Sequence, residues 1–441
     1  MNIRRKLILS LFLSLCAARA ETAVLKNFTL IDGSAARPQS DSAMVIVDGR
    51  IQWVGPASEL KAPAGAQTTD LAGKFVMPGI INLHGHVGNT VDLAQDPSNF
   101  TRANVESQLK MYASYGVTSV VSMGSEQPLI MDMRAEQRRT NRPLMTRIFT
   151  ARRGFTGPGG YPTTAQGMKG VPYEVATVAE VEKDVAELAA QKVDIVKIWV
   201  DDHLGKEKKI PFDLSKAIIG NAHKNHLKVA AHVFYLADAK ALIEAGLDGL
   251  AHSVRDKPVD DALIQAMKKR GAWQAAATLT REASTFIFAK PSPMLNDPFF
   301  APSVSASVLR TLKDPDFQKK AAASPDAAHG QEWLDMAKKN LKKMVDSGVK
   351  CGFGTDTGPP QRIQGYFEHW EMELMAEAGL TPQQIIAMAT KNSAEFLGAK
   401  DLGTLQKGKW ADLIVLRSNP LENIKNTRAI EAVWIAGNKV K

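Results

Sequence analysis

From about position 79 the chain alternates two kinds of apolar pattern. One is the short, nearly continuous run, such as "DIVKIWV" (194–200), which suits a parallel strand covered on both faces. The other is the amphipathic stretch, such as "EVEKDVAELAAQKV" (180–193), whose apolar residues recur at three and four and predict a helix. "LADAKALIEAGLDG" (236–249) is a second such stretch, with glycine after the helical run. Eight runs read as strands: "GIINLHGHV" (79–87), "GVTSVVSMG" (116–124), "LMTRIFTAR" (144–152), "DIVKIWV", "KVAAHVF" (228–234), "GLAHSV" (249–254), "AWQAAATLT" (272–280) and "KCGFGTDTG" (350–358). Eight strands alternating with helices predict an α/β fold, a (β/α)8 TIM barrel. An open doubly wound sheet is the competing reading.

Both ends of the chain follow a different rhythm. "AVLKNFTLIDG" and "SAMVIVDGRIQWVGP" alternate apolar and polar residues and close in glycine turns. "ADLIVLRSNP" and "AIEAVWIAGNKV" near the C-terminus repeat that style. We therefore expect a composite β-sandwich from residues 21–76 and 402–441, with the barrel at 77–401 between them. Residues 284–332 are rich in Pro, Ser and Phe and too long for an ordinary connection. They read as an insertion over one barrel mouth, with a lid as the hypothesis.

Composition adds little to the fold but bears on location. Apolar content of 44% and charged content of 23% suit a soluble globular chain of 441 residues. The first twenty residues have a basic start (Arg4, Arg5, Lys6), an apolar stretch from Leu7 to Ala17 and the small-x-small end Ala18-Arg19-Ala20. That layout predicts a Sec-type signal peptide cleaved after Ala20, and hence a secreted or periplasmic protein. An uncleaved anchor and, through Cys16, a lipoprotein are the lesser readings. Cleavage would take four positive charges from the formal +9 and leave no case for nucleic acid binding. It would also leave Cys351 without a partner for an internal disulfide. No further segment reads as a membrane span.

Chemistry gathers at the C-terminal ends of the expected strands. His84 and His86 follow the first, two residues apart, so both can face one ion. Lys197 lies on the fourth strand, His232 on the fifth, His252 on the sixth and Asp356 on the eighth. In a barrel these ends converge on one face. Four histidines, an aspartate and a lysine form a plausible ligand set for divalent metal. Lys197 is the odd member, since a buried ammonium is costly and neutralises or finds a partner. Asp201 and Asp202 are the partners that a bland reading supplies.

"FVMPGIINLHGHVG", the six residues just named and the C-terminal "GTLQKGKWADLIVL" together resemble the amidohydrolase superfamily. The stretch from "AGLTPQQIIAMATKNSAEFLGAKDLG" onward is especially similar to its imidazolonepropionase-like and Xaa-Pro dipeptidase-like branch. The resemblance implies one or two metals in the barrel, with zinc favoured. It implies that CO2 carboxylates Lys197 to N6-carboxylysine, whose carboxylate bridges two ions. His84, His86 and Asp356 would then hold the first ion, and His232 and His252 the second. A hydroxide shared by the ions would be the nucleophile, with Asp356 taking its proton and passing it to the leaving amine.

Three further residues are candidates near the site. Tyr235 would stabilise the oxyanion or contact substrate, Arg255 would hold a substrate carboxylate, and His203 would contact substrate. A packed Tyr235 and a surface pair of Arg255 with Asp256 are the plain alternatives. His369 is a candidate to support the ligands from behind. His223 and His226 read as surface residues, and His329 has no assigned role. The glycine-rich 153–163 loop would shape the pocket. The leading function is an exported binuclear amidohydrolase cleaving peptide or N-acyl-amino-acid bonds of a small-molecule substrate. Hydrolysis of a cyclic amide or lactone is the first alternative, and a non-catalytic binding protein on the same fold the second. Homo-oligomerisation stays open.

Overall fold

The computed structural model describes residues 21–140 and 142–441; the expected signal segment, Cys16 included, lies outside the described residues. The fold is mixed α/β. All eight expected strands are present, and their sheets are parallel. Ile80–Gly85, Val117–Ser122 and Arg147–Thr150 form one sheet. Val196–Val200, Val229–Val233, Gly249–Leu250, Trp273–Gln274 and Lys350–Cys351 follow one another in a second. The third strand breaks after Thr150, and its continuation, Phe155–Thr156, pairs with Ile198 of the fourth. Between the two sheets the Asp194 N–H donates to Thr150 O at 3.0 Å. Between the eighth and first strands, Leu83 N–H donates to Phe353 O at 2.8 Å and His86 N–H to Thr357 O at 2.7 Å.

The last three strands are shorter than expected, two residues each. Their pairing runs on as single bonds, Ala251 N–H to Ala231 O and Gly352 N–H to Gln274 O. Thr278 and Asp356 then take the left-handed backbone conformation, with φ of 54° and 59°. The strand ends thus peel out of register and turn their polar side chains to the same end.

Alternation along each strand separates two environments. Val196, Ile198 and Val200 face the helices, where they join Val181, Val185 and Leu188. Those three residues lie on Val178–Ala190, which opens with a capping box between Thr177 and Glu180. The other face collects Ile81, Leu83, Val121, Ala151, Ile195, Ala230, Ala251 and Ala275, each within or directly beside one of seven successive strands. Lys197 and Trp199 alternate with the helix-facing residues, in register with Ala230 and His232.

The two ends of the chain pair directly. Phe75–Pro78 is antiparallel to Leu413–Leu416 within one eight-stranded sheet. Leu25, Phe28, Met44 and Val76 share a core there with Leu413, Val415 and Ala432. A salt bridge at 2.8 Å from Arg147 to Asp412 ties this sheet to the third parallel strand. The insertion carries Ala306–Lys313 and Pro315–Ala322 and runs into the long helix Pro325–Asp346.

Candidate metal centre and active site

The strand-end histidines meet. Ring centroids of His84 and His252 are 4.7 Å apart, those of His232 and His252 4.2 Å, and those of His84 and His86 5.4 Å. Asp356 Oδ1 lies 3.0 Å from His86 Nε2 and 3.5 Å from His84 Nε2. One ligand atom each from His84, His252 and Asp356 falls within 4.8 Å of the others. Every imidazole also spends one nitrogen on the protein. His84 Nδ1 contacts Ala251 O at 2.9 Å, His86 Nδ1 contacts Ser125 Oγ at 2.9 Å, and His252 Nδ1 contacts Thr278 Oγ1 at 2.8 Å. His232 does the reverse, with Nε2 on Asp201 Oδ2 at 2.6 Å. Each ring keeps its second nitrogen for another partner, which is how metal-binding histidines are oriented. Burial pulls the His232 pKa down to about 3, so its ring is neutral. His84 and His252 are driven well down by the same cause. Neutral imidazoles and a carboxylate are a donor set that fits divalent zinc-like ions.

Lys197 has 0% exposure, with its Nζ 3.4 Å from His84 Nε2. No carboxylate pairs with it among the described residues. Burial pulls its pKa to about 7, against the opposing pull of Asp356. Neither Asp201 nor Asp202 serves it: Asp201 holds His232, and Asp202 takes Tyr235 and Lys209. The approach depends on Gly124, at φ 100°, where a Cβ would meet Lys197 Cγ at 3.1 Å.

Two arginines converge on Asp356. Arg362 Nη1 donates to Oδ2 at 2.5 Å, and Arg281 Nε lies 3.5 Å from the same oxygen. Burial would raise the Asp356 pKa, but Arg362 and the two histidines hold it well below the carboxylate range. Behind it, Glu368 ties the first strand to the eighth. Its Oε1 accepts from Asn82 Nδ2, Thr355 Oγ1 and Thr357 Oγ1, while Oε2 accepts from Gly365 N–H. Asn82 Oδ1 in turn accepts from His84 N–H.

Three expected substrate contacts are placed elsewhere. Arg255 is buried, with an ion pair to Glu282 at 3.1 Å and bonds to Val233 O and Ser253 O, so its guanidinium is already spent. Tyr235 donates to Asp202 at 2.8 Å. His203 faces Glu207 and, on the insertion helix, Asp326, which raises its pKa. None of the three lines the cavity beside the cluster. His369 is bonded to Tyr115 O and Thr427 Oγ1, a packing role between the eighth strand's helix and the C-terminal segment.

That cavity holds about 260 Å³. His84, His86, His232, His252 and Asp356 line it together with the apolar Trp199, Met168, Pro359 and Pro360. The 153–163 loop contributes Tyr161 and Pro162, and the Tyr161 ring lies 5.0 Å from that of His232. No residue of the insertion lines it; Phe288 and Phe300 instead pack on Tyr366 and Phe367. Ser303, Val304 and Ser305 do wall an adjoining cavity that shares Arg362. The expected role of the 153–163 loop thus fell to Tyr161, which sequence reasoning had not singled out within it; Arg281, Arg362 and Glu368 were missed, and of these only Arg281 carried a signal, standing directly after the seventh apolar run.

The amidohydrolase family model matches residues 75–440. The ochratoxinase of Aspergillus niger is 26% identical over 96% of this chain and 87% of its own. The imidazolonepropionase of Cutibacterium acnes is 24% identical over 85% of this chain and 84% of its own. The structure of a Xaa-Pro dipeptidase with bound methionine superposes with a TM-score of 0.74 at 21% identity, covering 95% of this chain and 99% of that one. This last likeness speaks for the fold.

Proposed function

The chain belongs to the amidohydrolase family and is a hydrolase, and on that footing we propose that it is a binuclear metal-dependent enzyme cleaving peptide or N-acyl-amino-acid amide bonds. The carrying observation is the meeting of four histidines, Asp356 and Lys197, each imidazole with one nitrogen already committed. His84, His86 and Asp356 would hold one ion and His232 and His252 the other, with zinc as the proposed metal. Lys197 would bridge them as a carbamate: its neutral nitrogen attacks CO2, a C–N bond forms and one proton leaves. This replaces a buried cation by an anion, which removes the anomaly of Lys197 in an apolar strand. The chemistry that ions held by these residues would supply is a lowered pKa for a bound water and polarisation of the scissile carbonyl.

The protein's own groups carry the rest. Asp201, which can only accept, fixes Nε2 of His232 as the protonated nitrogen, and Thr278 holds the ring of His252 in place. Asp356 accepts the proton of the attacking water and returns it to the departing nitrogen, so that amide and water become acid and amine. Trp199, Met168 and the prolines give the cavity an apolar stretch of wall. The reading extends to a closed (β/α)8 barrel over 77–401, supported by the bonds across both sheet gaps. It also extends to a composite β-domain of 21–76 and 402–441, and to export with cleavage after Ala20. The test is turnover of N-acyl amino acids and dipeptides by metal-loaded protein. Chelation should abolish it, and zinc with bicarbonate should restore more than zinc alone. Asp356→Asn should fold and bind, with turnover lost by at least ~100-fold. Full turnover after chelation would overturn the reading.

A further inference from the structure

We propose that Arg362 receives the free α-carboxylate of the leaving amino acid, which makes N-acyl α-amino acids, dipeptides included, the substrate class. This rests on the amide-hydrolase reading above. Among the described residues lining the cavity, Arg362 is the one guanidinium or ammonium. It spends only Nη1 on Asp356, and no other carboxylate pairs with it among the described residues. An arginine fork offers two parallel donors to a carboxylate, so this one holds capacity in reserve. Its side chain is 20% exposed, against 1% for Arg255.

The bond count places the ligand. In an N-acyl α-amino acid the carboxylate carbon is two bonds from the nitrogen that leaves. Asp356 hands its proton to that nitrogen, so the carboxylate lies close to Asp356 and within reach of Arg362, whose Nη1 is 2.5 Å from Asp356 Oδ2. Arg362 can turn toward it without stranding Asp356. Arg281 remains 3.5 Å from the same Oδ2, itself anchored to Glu282 at 2.7 Å. The base of Arg362 stays put meanwhile. Gly358 N–H donates to Arg362 O at 2.9 Å and Arg362 N–H to Pro359 O at 3.0 Å, closing a tight turn that contains both prolines. What moves is the side chain alone.

The experiment uses metal-loaded full-length protein and a panel of N-acyl amino acids, each paired with its carboxamide, with acyl release measured. The parent should favour the carboxylate member in kcat/KM. Arg362→Gln should lower that preference by about 10- to 100-fold, mainly through KM, and Arg362→Lys should keep part of it. Circular dichroism confirms that both variants fold. A preference retained in both variants, or absent in the parent, overturns this proposal alone. No acyl release from either member by the metal-loaded parent overturns the amide-hydrolase reading and this one with it.

Discussion

Lys197→Met is expected to yield a protein that is more stable than its metal-free, CO2-free parent and inactive. The lysine has 0% exposure, and among the described residues its hydrogen-bond neighbour is His84 Nε2 at 3.4 Å. Burial lowers its pKa from 10.5 to about 7. The folded value lies below the unfolded one, so between pH 7 and 10.5 the unfolded chain binds the extra proton. This group's stability is therefore complete above 10.5 and is lost as pH falls through the window to about 7. One proton contributes at most about 1.4 kcal/mol per pH unit. Methionine fills the same space without charge, and replacing a buried charge by an apolar side chain typically gains about 1–4 kcal/mol. The assay is urea denaturation at pH 6, 7, 8 and 9, after chelation in CO2-free buffer. The gap between variant and parent should be widest at pH 6 and narrow by up to about 1.4 kcal/mol per unit above pH 7. A gap independent of pH, or a variant less stable at pH 6, would refute the burial argument.

Two other substitutions test the supports of the site. Asp201→Asn should weaken metal binding by about 10- to 100-fold in chelator competition, because the amide no longer dictates which nitrogen of His232 is protonated; unchanged affinity would remove Asp201 from the site. Glu368→Gln should cost about 1–3 kcal/mol by urea denaturation, since its four donors cannot all be met once an NH2 replaces one oxygen; a neutral result would mean that the hub is dispensable.

Much of the site was legible because barrel strands impose a rule on local sequence. A residue at the C-terminal end of a buried apolar run has few places to go, and parity decides its face. His84, His86, His232, His252 and Asp356 could be named from that rule, and Lys197, the second residue of Val196–Val200, from its charge inside an apolar run. Candidates beyond the strand ends were not legible in this way. Tyr235, Arg255 and His203 stand two to four residues past a strand or its ligand, where loop geometry takes over. Arg255 turned inward because Glu282, from a different connection, was there to neutralise it.

The linear pattern was thus sufficient for the strand count, for which polar side chains gather at one end of the strands and for the cost of a charge at Lys197, since these depend on periodicity and on burial along single runs. It was silent on which arginine faces the cavity and on the bond from Asp201 to His232. It was equally silent on Glu368 joining strands almost three hundred residues apart. Such choices depend on which charges from distant segments reach the same few ångströms, and a buried ion takes whichever partner the packing brings within reach. That distance is set when the chain closes on itself, and no local stretch encodes it.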